Sequence, residues 1–401
     1  MAVTGIAART PRRRTPSLLD LLYRPEVRQV LFQIVLIIAL AALFWMIISN
    51  TAANLRRQNI ASGFGFWNTT AGFDISQTLI QYTNTSTYGR VFWVGLTNTM
   101  LVATIGVVFA TIVGFIMGIA RLSTNWLIAR LATVYVETIR NIPLLLQLFV
   151  WYFAVLKSLP PPRQSLELMG GAVLNLRGLY LPEPLPQPGF EVPLAALALG
   201  VLASIGIAIW AKRRQRLTGA QFHTGLAALV LIVLLPVATF FVVGAPLEFD
   251  YPTLRGFNYT GGIVVLPELL ALLLGLVIYT GAFIAEIVRA GIQGVPKGQK
   301  EAASAIGLST GQTLRLVVIP QAMRIIIPPL TSNYLNLIKN SSLAVAIAYP
   351  DLVSVFAGTV LNQTGQAVEV ILITMLVYLT LSLFTSLLMN WFNARMALVE
   401  R

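Results

Sequence analysis

The sequence has 401 residues, a mean hydropathy of +0.77 and only 11% charged residues. A water-soluble chain of that length needs far more charge to cover its surface, so the composition places this one in a membrane. Cysteine is absent and His223 is the only histidine, which excludes disulfides, thiol chemistry, histidine-based catalysis and histidine-rich metal clusters. The formal net charge is +13, and its distribution along the chain decides what it means.

Eight apolar runs approach or exceed the roughly 20 residues that cross the hydrocarbon as a helix: 29–49, 94–120, 131–156, 192–210, 224–244, 264–288, 325–348 and 369–392. The first follows RTPRRRTPSLLDLLYRPEVRQ. It is long for a signal peptide and has no small-residue cleavage site close behind it, which predicts a retained span. Segment 50–93 is polar and aromatic, too short for a domain, and compatible with a helix lying at the bilayer surface. The second run contains GFIMG at 114–118, a small-xxx-small pattern that suits close helix packing. The third carries Glu137 and Arg140, three residues apart and so on one helical face, with Pro143 loosening the helix just beyond. Segment 158–191, with LPPPRQ and LPEPLPQP, predicts an extended loop without a core. Runs four and five hold almost nothing ionisable and read as lipid-facing scaffold, whereas runs two, three, six, seven and eight carry most of the polar residues and helix breakers. Those five are the expected working core.

Run six ends in a second E-x-x-R pair, Glu286 and Arg289. Each such pair suits either a structural ion pair or a polar site inside the bundle. EAASAIGLSTGQTLRLVVIP follows at 301–320. Glu301 lies near the start of a short helix, where the dipole favours a carboxylate; Gly307 and Gly311 loosen the chain, and a second short helix ends at Pro320. The result is a compact knob whose alanines and glycine let another protein approach the backbone, or else an ordinary interhelical connection. In run seven, Pro328 and Pro329 should break the start, and Asn333, Asn336, Lys339, Asn340, Ser341 and Ser342 follow. Lys339 lies roughly 21 Å along that helix, near mid-bilayer, where facing lipid costs a few kcal/mol. Either it pairs with Glu137 or Glu286, or the helix is interrupted to present polar groups to a cavity.

Basic residues orient the spans. With the N-terminus in the cytoplasm, 19 of the 28 Lys and Arg residues fall on inner segments and seven on outer loops; Arg140 and Lys339 lie within spans. Asp74, Glu167, Glu183, Glu191, Glu248, Asp250 and Asp351 fall outside. The positive charge is therefore an orientation signal, and nucleic acid is not an expected partner. The same orientation puts 301–320 and both termini in the cytoplasm. GVPKGQK at 294–300 does not complete the G-x-x-x-x-G-K-[ST] phosphate loop, so ATP, where it is used, must be bound by another subunit.

The 301–320 stretch resembles the EAA loop of bacterial ABC importer permeases. Glu301, Ala302, Ala303, Gly307 and Pro320 match its pattern, and Val317 and Ile319 stand in for its last two aliphatics. AEIVRAGIQGVPKGQ and YVETIRNIPLLLQLFVWYF look like the polar-amino-acid branch, and VLNLRGLYLP with the two added spans is similar to the longer permease of general L-amino-acid importers. The resemblance implies an all-α polytopic bundle of about eight spans in a bacterial inner membrane, with a five-helix type I importer core. It divides the chain into a cytoplasmic segment 1–28, an added span and periplasmic loop 29–93, core 94–157, a proline-rich loop with two added spans 158–263, and core 264–401. It further implies a non-enzymatic permease for polar or general L-amino acids, with no cofactor of its own. Its partners would be a homologous second permease (a heterodimer), two ATPase subunits that bind ATP and magnesium, and a periplasmic amino-acid-binding protein. Glu301, Ala302, Ala303, Gly307 and Pro320 would contact the ATPase. A zwitterionic substrate needs an acceptor for its ammonium, for which Glu137 and Glu286 are the candidates. It also needs donors for its carboxylate, drawn from Thr280, Asn340, Ser341 and Ser342; Arg140 and Lys339 complete the candidate set. The rival readings are an ABC permease for another small solute and a secondary transporter that works without ATP.

Overall fold

A computed structural model of the chain describes residues 25–58 and 61–396; most of the cytoplasmic segment expected at 1–28 and the last residues, 397–401, lie outside them. Among the described residues, seven helices are long and apolar enough to cross a bilayer, or eight when one bent pair is counted as a single span. In chain order they are α1 (Pro25–Arg57), α2 (Tyr88–Ala120) and the bent pair α3 (Trp126–Asn141) and α4 (Leu144–Phe149), the last continuing through wider and tighter turns to Ser158. Next come α5 (Glu191–Thr218), α6 (Thr224–Leu229) and α7 (Leu235–Val242), the last two joined by a π turn into one span. Beyond these lie α8 (Pro267–Gln293), the short α9 (Lys297–Ala305) and α10 (Thr310–Thr313), α11 (Ile319–Asn340), the short α12 (Leu361–Thr364), and α13 (Ala367–Met396). The chain is mostly helical, as the eight runs predict.

The core is built on α2 and α8. Small residues let the two backbones meet: a Cβ added to Gly114 would strike Ile284, and one added to Gly118 would lie 2.7 Å from the Ala285 carbonyl oxygen. The small-xxx-small pattern at 114–118 is thus a packing seam. Leu144 and Leu148 of α4 close on Leu272 and Leu276 of α8, while Ile326 of α11 fills the notch left by Gly291. In lipid such contacts stabilise through close van der Waals packing, since the alternative neighbour is an equally apolar acyl chain.

Pro143 breaks span three outright, and the two halves meet at 107°. Proline lacks an N–H and forces the preceding residue out of the helical region, and Ile142 is extended accordingly (φ −103°, ψ 127°). The Gln147 amide donates to the carbonyls of Ile139 (3.0 Å) and Ile142 (2.9 Å), satisfying groups that the break would otherwise strand.

Span seven departs from expectation in two places. A continuous helical path runs from Thr310 through a π turn into α11, so Pro320 opens α11 instead of ending a short helix. Pro320 has no N–H to donate, and it follows directly on the π turn Leu314–Val318, where the regular ladder is already interrupted. α11 also continues through Pro328 and Pro329, which packed neighbours allow in membrane helices. The interruption comes later, at Ser341–Ile347, a tight 3-10 stretch that ends with Ala348 in a left-handed turn (φ 59°).

The proline-rich segment is not the core-less loop that its composition predicts. Strands β1 (Leu166–Glu167), β2 (Val173–Asn175), β3 (Gly178–Leu181) and β4 (Glu183–Pro186) precede the α5–α7 hairpin. Strands β5 (Leu247–Asp250), β6 (Thr253–Arg255), β7 (Asn258–Thr260) and β8 (Ile263–Val265) follow it. β1, β2, β3 and β8 form one antiparallel sheet, and β4 pairs with β5 from Glu183↔Asp250 to Pro186↔Leu247. Strands from both sides of the insertion therefore clasp its base. Val173, Asn175 and Tyr180 are buried there.

Segment 61–87 caps the same end of the core. It contributes Phe66 and Trp67 to an aromatic cluster with Tyr88, Phe92 and Phe356. Nearby, Asn98 donates to the Pro350 carbonyl (2.8 Å), and Thr99 accepts from the Leu352 amide (3.0 Å). These bonds pin the turn that brings Asp351 to the amide of Ser354 (2.8 Å), where it caps the following helix.

Candidate functional site

The 301–320 segment forms a compact knob, one of the two forms its sequence allows, although its second helical piece runs on into α11 instead of ending at Pro320. Gly307, left-handed at φ 81°, ends α9. Its own amide donates to Ser304 and the Leu308 amide donates to Ala303, a Schellman pair that closes the helix. Ser309 and Gln312 then form a reciprocal capping box that starts α10. Glu301, Ala302, Gly307 and Ile306 are exposed, the last at 77%, whereas Ala303 is buried and Pro320 half-buried. Val295, Val318 and Ala322 seat this end on α8 and α11, and Gln321 donates to Gln299 at 3.3 Å. The knob therefore presents alanine and an unpartnered isoleucine outward while its base is fixed to two core helices.

Above the knob lies a charge node. Glu286 takes hydrogen bonds from Arg121, at the end of α2, and from Arg289 one turn along its own helix. Arg140 approaches the same carboxylate at 3.9 Å, and Arg121 reaches Glu137 at 3.7 Å. Arg289 also donates to Gln293 (2.6 Å). Three arginines thus surround one carboxylate and join α2, α3 and α8. The Glu286/Arg289 pair forms as its spacing predicts. Glu137 and Arg140 turn instead to Arg121 and Glu286.

A second polar feature sits between α8 and α11. A hollow of about 240 Å³ is lined by Tyr279, Thr280, Phe283, Asn333, Asn336 and Asn340. Asn333 donates to the Pro329 carbonyl (3.1 Å); the Asn336 and Asn340 amides make no hydrogen bond to other described residues. Arg140 stands 5.1 Å above the Phe283 ring, so this hollow abuts the charge node. On the adjoining face of α11, Ser332, Asn336 and Lys339 form an exposed polar stripe. Lys339 has no ion pair among the described residues, so it does not join Glu137 or Glu286.

The eight candidate substrate residues therefore separate into groups. Thr280 and Asn340 share the hollow; Glu137, Arg140 and Glu286 share the node; Lys339 lies on the stripe. Ser341 donates to the Ile338 carbonyl (2.8 Å) and Ser342 to that of Lys339 (2.7 Å), so both hydroxyls are engaged with backbone. Sequence reasoning did not single out Tyr279, Phe283 or Arg121 for a site. The signal for the first two was their position beside Thr280 on one face of α8. Arg121 gave none, because its carboxylate partners lie 16 and 165 residues away.

Residues 110–398 match the sequence family described as binding-protein-dependent transport system inner membrane component. Over 380 residues the chain is 56% identical to the general L-amino acid transport system permease protein AapQ of Rhizobium johnstonii, covering 95% of each chain. It is 54% identical over 377 residues to the putative amino-acid ABC transporter permease protein YhdX of Escherichia coli, covering 94% of this chain and 96% of that one. It is 41% identical over 413 residues to the glutamate/glutamine/aspartate/asparagine transport system permease protein BztB of Rhodobacter capsulatus, covering 95% and 96%. With a family match across most of its length and a helical bundle of the kind its sequence predicts, the chain belongs to the inner-membrane permease components of binding-protein-dependent transport systems.

Proposed function

We propose that the chain is the permease subunit of an ATP-driven importer for L-amino acids, oriented with both termini and the 301–320 knob in the cytoplasm. The observation that carries this is the knob: exposed, small-residued, and anchored on the two helices that flank the polar hollow. Identity of 56% to a general L-amino acid permease supports the substrate class. One of the complex's two ATPase subunits, which bind ATP and magnesium, docks on Glu301, Ala302 and Gly307, with the buried Ala303 packed beneath that surface and Pro320 setting the start of the transmitting helix. A periplasmic binding protein delivers substrate at the opposite end. The stripe of Ser332, Asn336 and Lys339 faces a second, homologous permease, since a lysine facing lipid at that depth costs about 2.5–3.5 kcal/mol.

Transport follows from rocking α8 and α11 when the ATPases close, which opens the hollow to alternate sides. The amino acid binds by its backbone groups. Amide oxygens of Asn333, Asn336 and Asn340 accept from the ammonium; amide nitrogens, Thr280 and the neighbouring Arg140 face the carboxylate. Glu286 and Glu137, drawn into the arginine node, hold α2, α3 and α8 in register instead of meeting the ammonium. Because the hollow contains no fixed charge of its own, it reads what all amino acids share.

The test is ATP-dependent uptake by the assembled complex in vesicles with binding protein present. L-amino acids of several side-chain types should be taken up, and Thr280→Val with Asn336→Leu should cut uptake about tenfold, the loss of one to two good hydrogen bonds. Stimulated ATP hydrolysis should stay within about twofold, because the knob is untouched. Uptake without ATP, or uptake of sugars or ions in preference to amino acids, sinks the reading.

A further inference from the structure

The α5–α7 hairpin ends in AKRRQRLTGAQFHTG, which the transport reading does not use. Lys212, Arg213, Arg214 and Arg216 fall within five residues, and no aspartate or glutamate occurs between Glu191 and Glu248. All four are exposed, and none has an ion pair among the described residues. The tip is nonetheless ordered by its own contacts. Gly219, left-handed at φ 71°, closes α5 through its bond to Gln215. Arg214 lies 5.3 Å over the Trp210 ring, and Trp210 meets Phe222 edge-on at 5.5 Å. Tryptophan held beside arginine at a helix end suits the headgroup level of a bilayer.

Two hollows adjoin there and share Phe222. One, of about 360 Å³, is bordered by Lys212, Gln215, Gln221 and Thr224. The other, of about 420 Å³, has His223 at its mouth, continues along apolar Leu226, Ala227, Val230 and Leu231, and follows the α6–α7 span, none of whose residues is buried. A polar, cationic hollow continuous with an apolar groove on a lipid-exposed helix matches an anionic amphiphile. An acidic protein surface would satisfy the cations but leave the groove unfilled. Two spans separate the tip from the 301–320 knob, so both lie on the same side of the membrane.

We propose that this tip binds an anionic phospholipid, its phosphate held at Lys212, the cation that borders the polar hollow, with Arg213, Arg214 and Arg216 adding their field, and one acyl chain lying in the groove beyond Phe222. Juxtamembrane clusters of this size attract anionic headgroups. The hairpin packs chiefly on itself, with Gly200 against the Leu231 carbonyl, so a bound lipid fills a face that no described part of the chain covers.

The chain has no cysteine, so a single Leu217→Cys substitution allows a fluorophore to be placed on the tip of the full chain in its complex. Leu217 is 85% exposed. Quenching by brominated phosphatidylglycerol is compared with quenching by brominated phosphatidylcholine at equal mole fraction. The site predicts about threefold stronger quenching by the anionic lipid, unchanged by added inorganic phosphate. The preference should be abolished in Lys212→Gln/Arg213→Gln/Arg214→Gln/Arg216→Gln and retained in Lys297→Gln/Lys300→Gln, which removes the same kind of charge elsewhere. An impermeant thiol reagent reports whether the neutralised hairpin keeps its orientation. Should it invert, Lys212→Gln/Arg213→Gln and Arg214→Gln/Arg216→Gln replace it, each expected to weaken the preference. Equal quenching by both lipids, a preference that survives neutralisation, or one that appears only with the ATPase subunits bound would overturn the proposal.

Discussion

The α2–α8 seam and the α5–α7 hairpin are both apolar, both long enough to cross a bilayer, and packed in opposite ways. In α8, 56% of the apolar window is buried inside the chain; in α5 the share is 11%, and in the α6–α7 span it is zero. Hydropathy does not distinguish them, at 2.2 for α8 against 2.4 and 2.7 for the hairpin. Placement of small and polar residues does. Lipid tails are as apolar as leucine, so helices associate in a bilayer where small residues admit close packing and polar groups find partners. α8 has Gly275, Gly281 and Gly291 against α4, α2 and α11, and ends in the arginine node. The hairpin has one such contact, at Gly200, internal to itself.

That contrast breaks first if bulk is tolerated in the seam. Gly114→Leu forces a side chain into Ile284 and should cost about 3 kcal/mol, enough to abolish recovery of folded protein after detergent extraction. Gly206→Leu on α5, where a Cβ meets nothing within 4 Å, should leave the thermal midpoint unchanged. Equal losses in the two variants would mean that the hairpin is as tightly packed as the core.

The node gives the next largest effect. Glu286→Gln leaves Arg121, Arg140 and Arg289 facing one another without their shared carboxylate. Removing one partner of a buried pair costs 3–5 kcal/mol; with the Glu286 side chain 25% exposed, about 2 kcal/mol is expected here. Removing Arg121 as well should cost less than the two single losses added together, and a double-mutant thermal series measures that difference.

The same contrast explains what the sequence disclosed. Spans, knob and packing seam were legible because each rests on local signals: hydropathy, a spaced motif, glycine periodicity. The arginine node was only half legible, since Glu286 and Arg289 are neighbours on one helix whereas Arg121 arrives from another. The double proline at 328 and 329 misled, because packing in the bundle supports a helix that local propensity would break. The β-module was hidden for a related reason. Its central sheet pairs β3 with β8 across the whole hairpin, a contact that no local pattern carries, and proline suits its short strands.

Within the core, the knob should respond more in coupling than in stability. Gly307→Val places a β-branched residue at φ 81°, costing about 1 kcal/mol or more and deforming the Schellman turn that aims Ile306 and Ala302 outward. Binding-protein-stimulated ATP hydrolysis by the assembled complex should fall about tenfold while the thermal midpoint moves only a few degrees. A fall in stability with coupling preserved would assign the knob a purely structural part.

The smallest effect is expected from the largest change. β4 and β5 pair antiparallel, with Pro186 directly opposite Leu247, so the chain enters and leaves the hairpin at adjacent points. Partners across such a pair are about 5 Å apart, which a two-residue turn spans. Replacing residues 187–246 by Asn-Gly should therefore keep β4–β5, the β3–β8 sheet and the core, with uptake within about twofold of the intact complex and the core's thermal midpoint nearly unchanged. Such an outcome would establish that the hairpin is carried by the β-module without supporting the bundle. A collapse of folding would instead mean that the hairpin braces α2 and α8 through surfaces exposed in the single chain, and the distinction between a packed seam and a lipid-facing appendage would have to be abandoned.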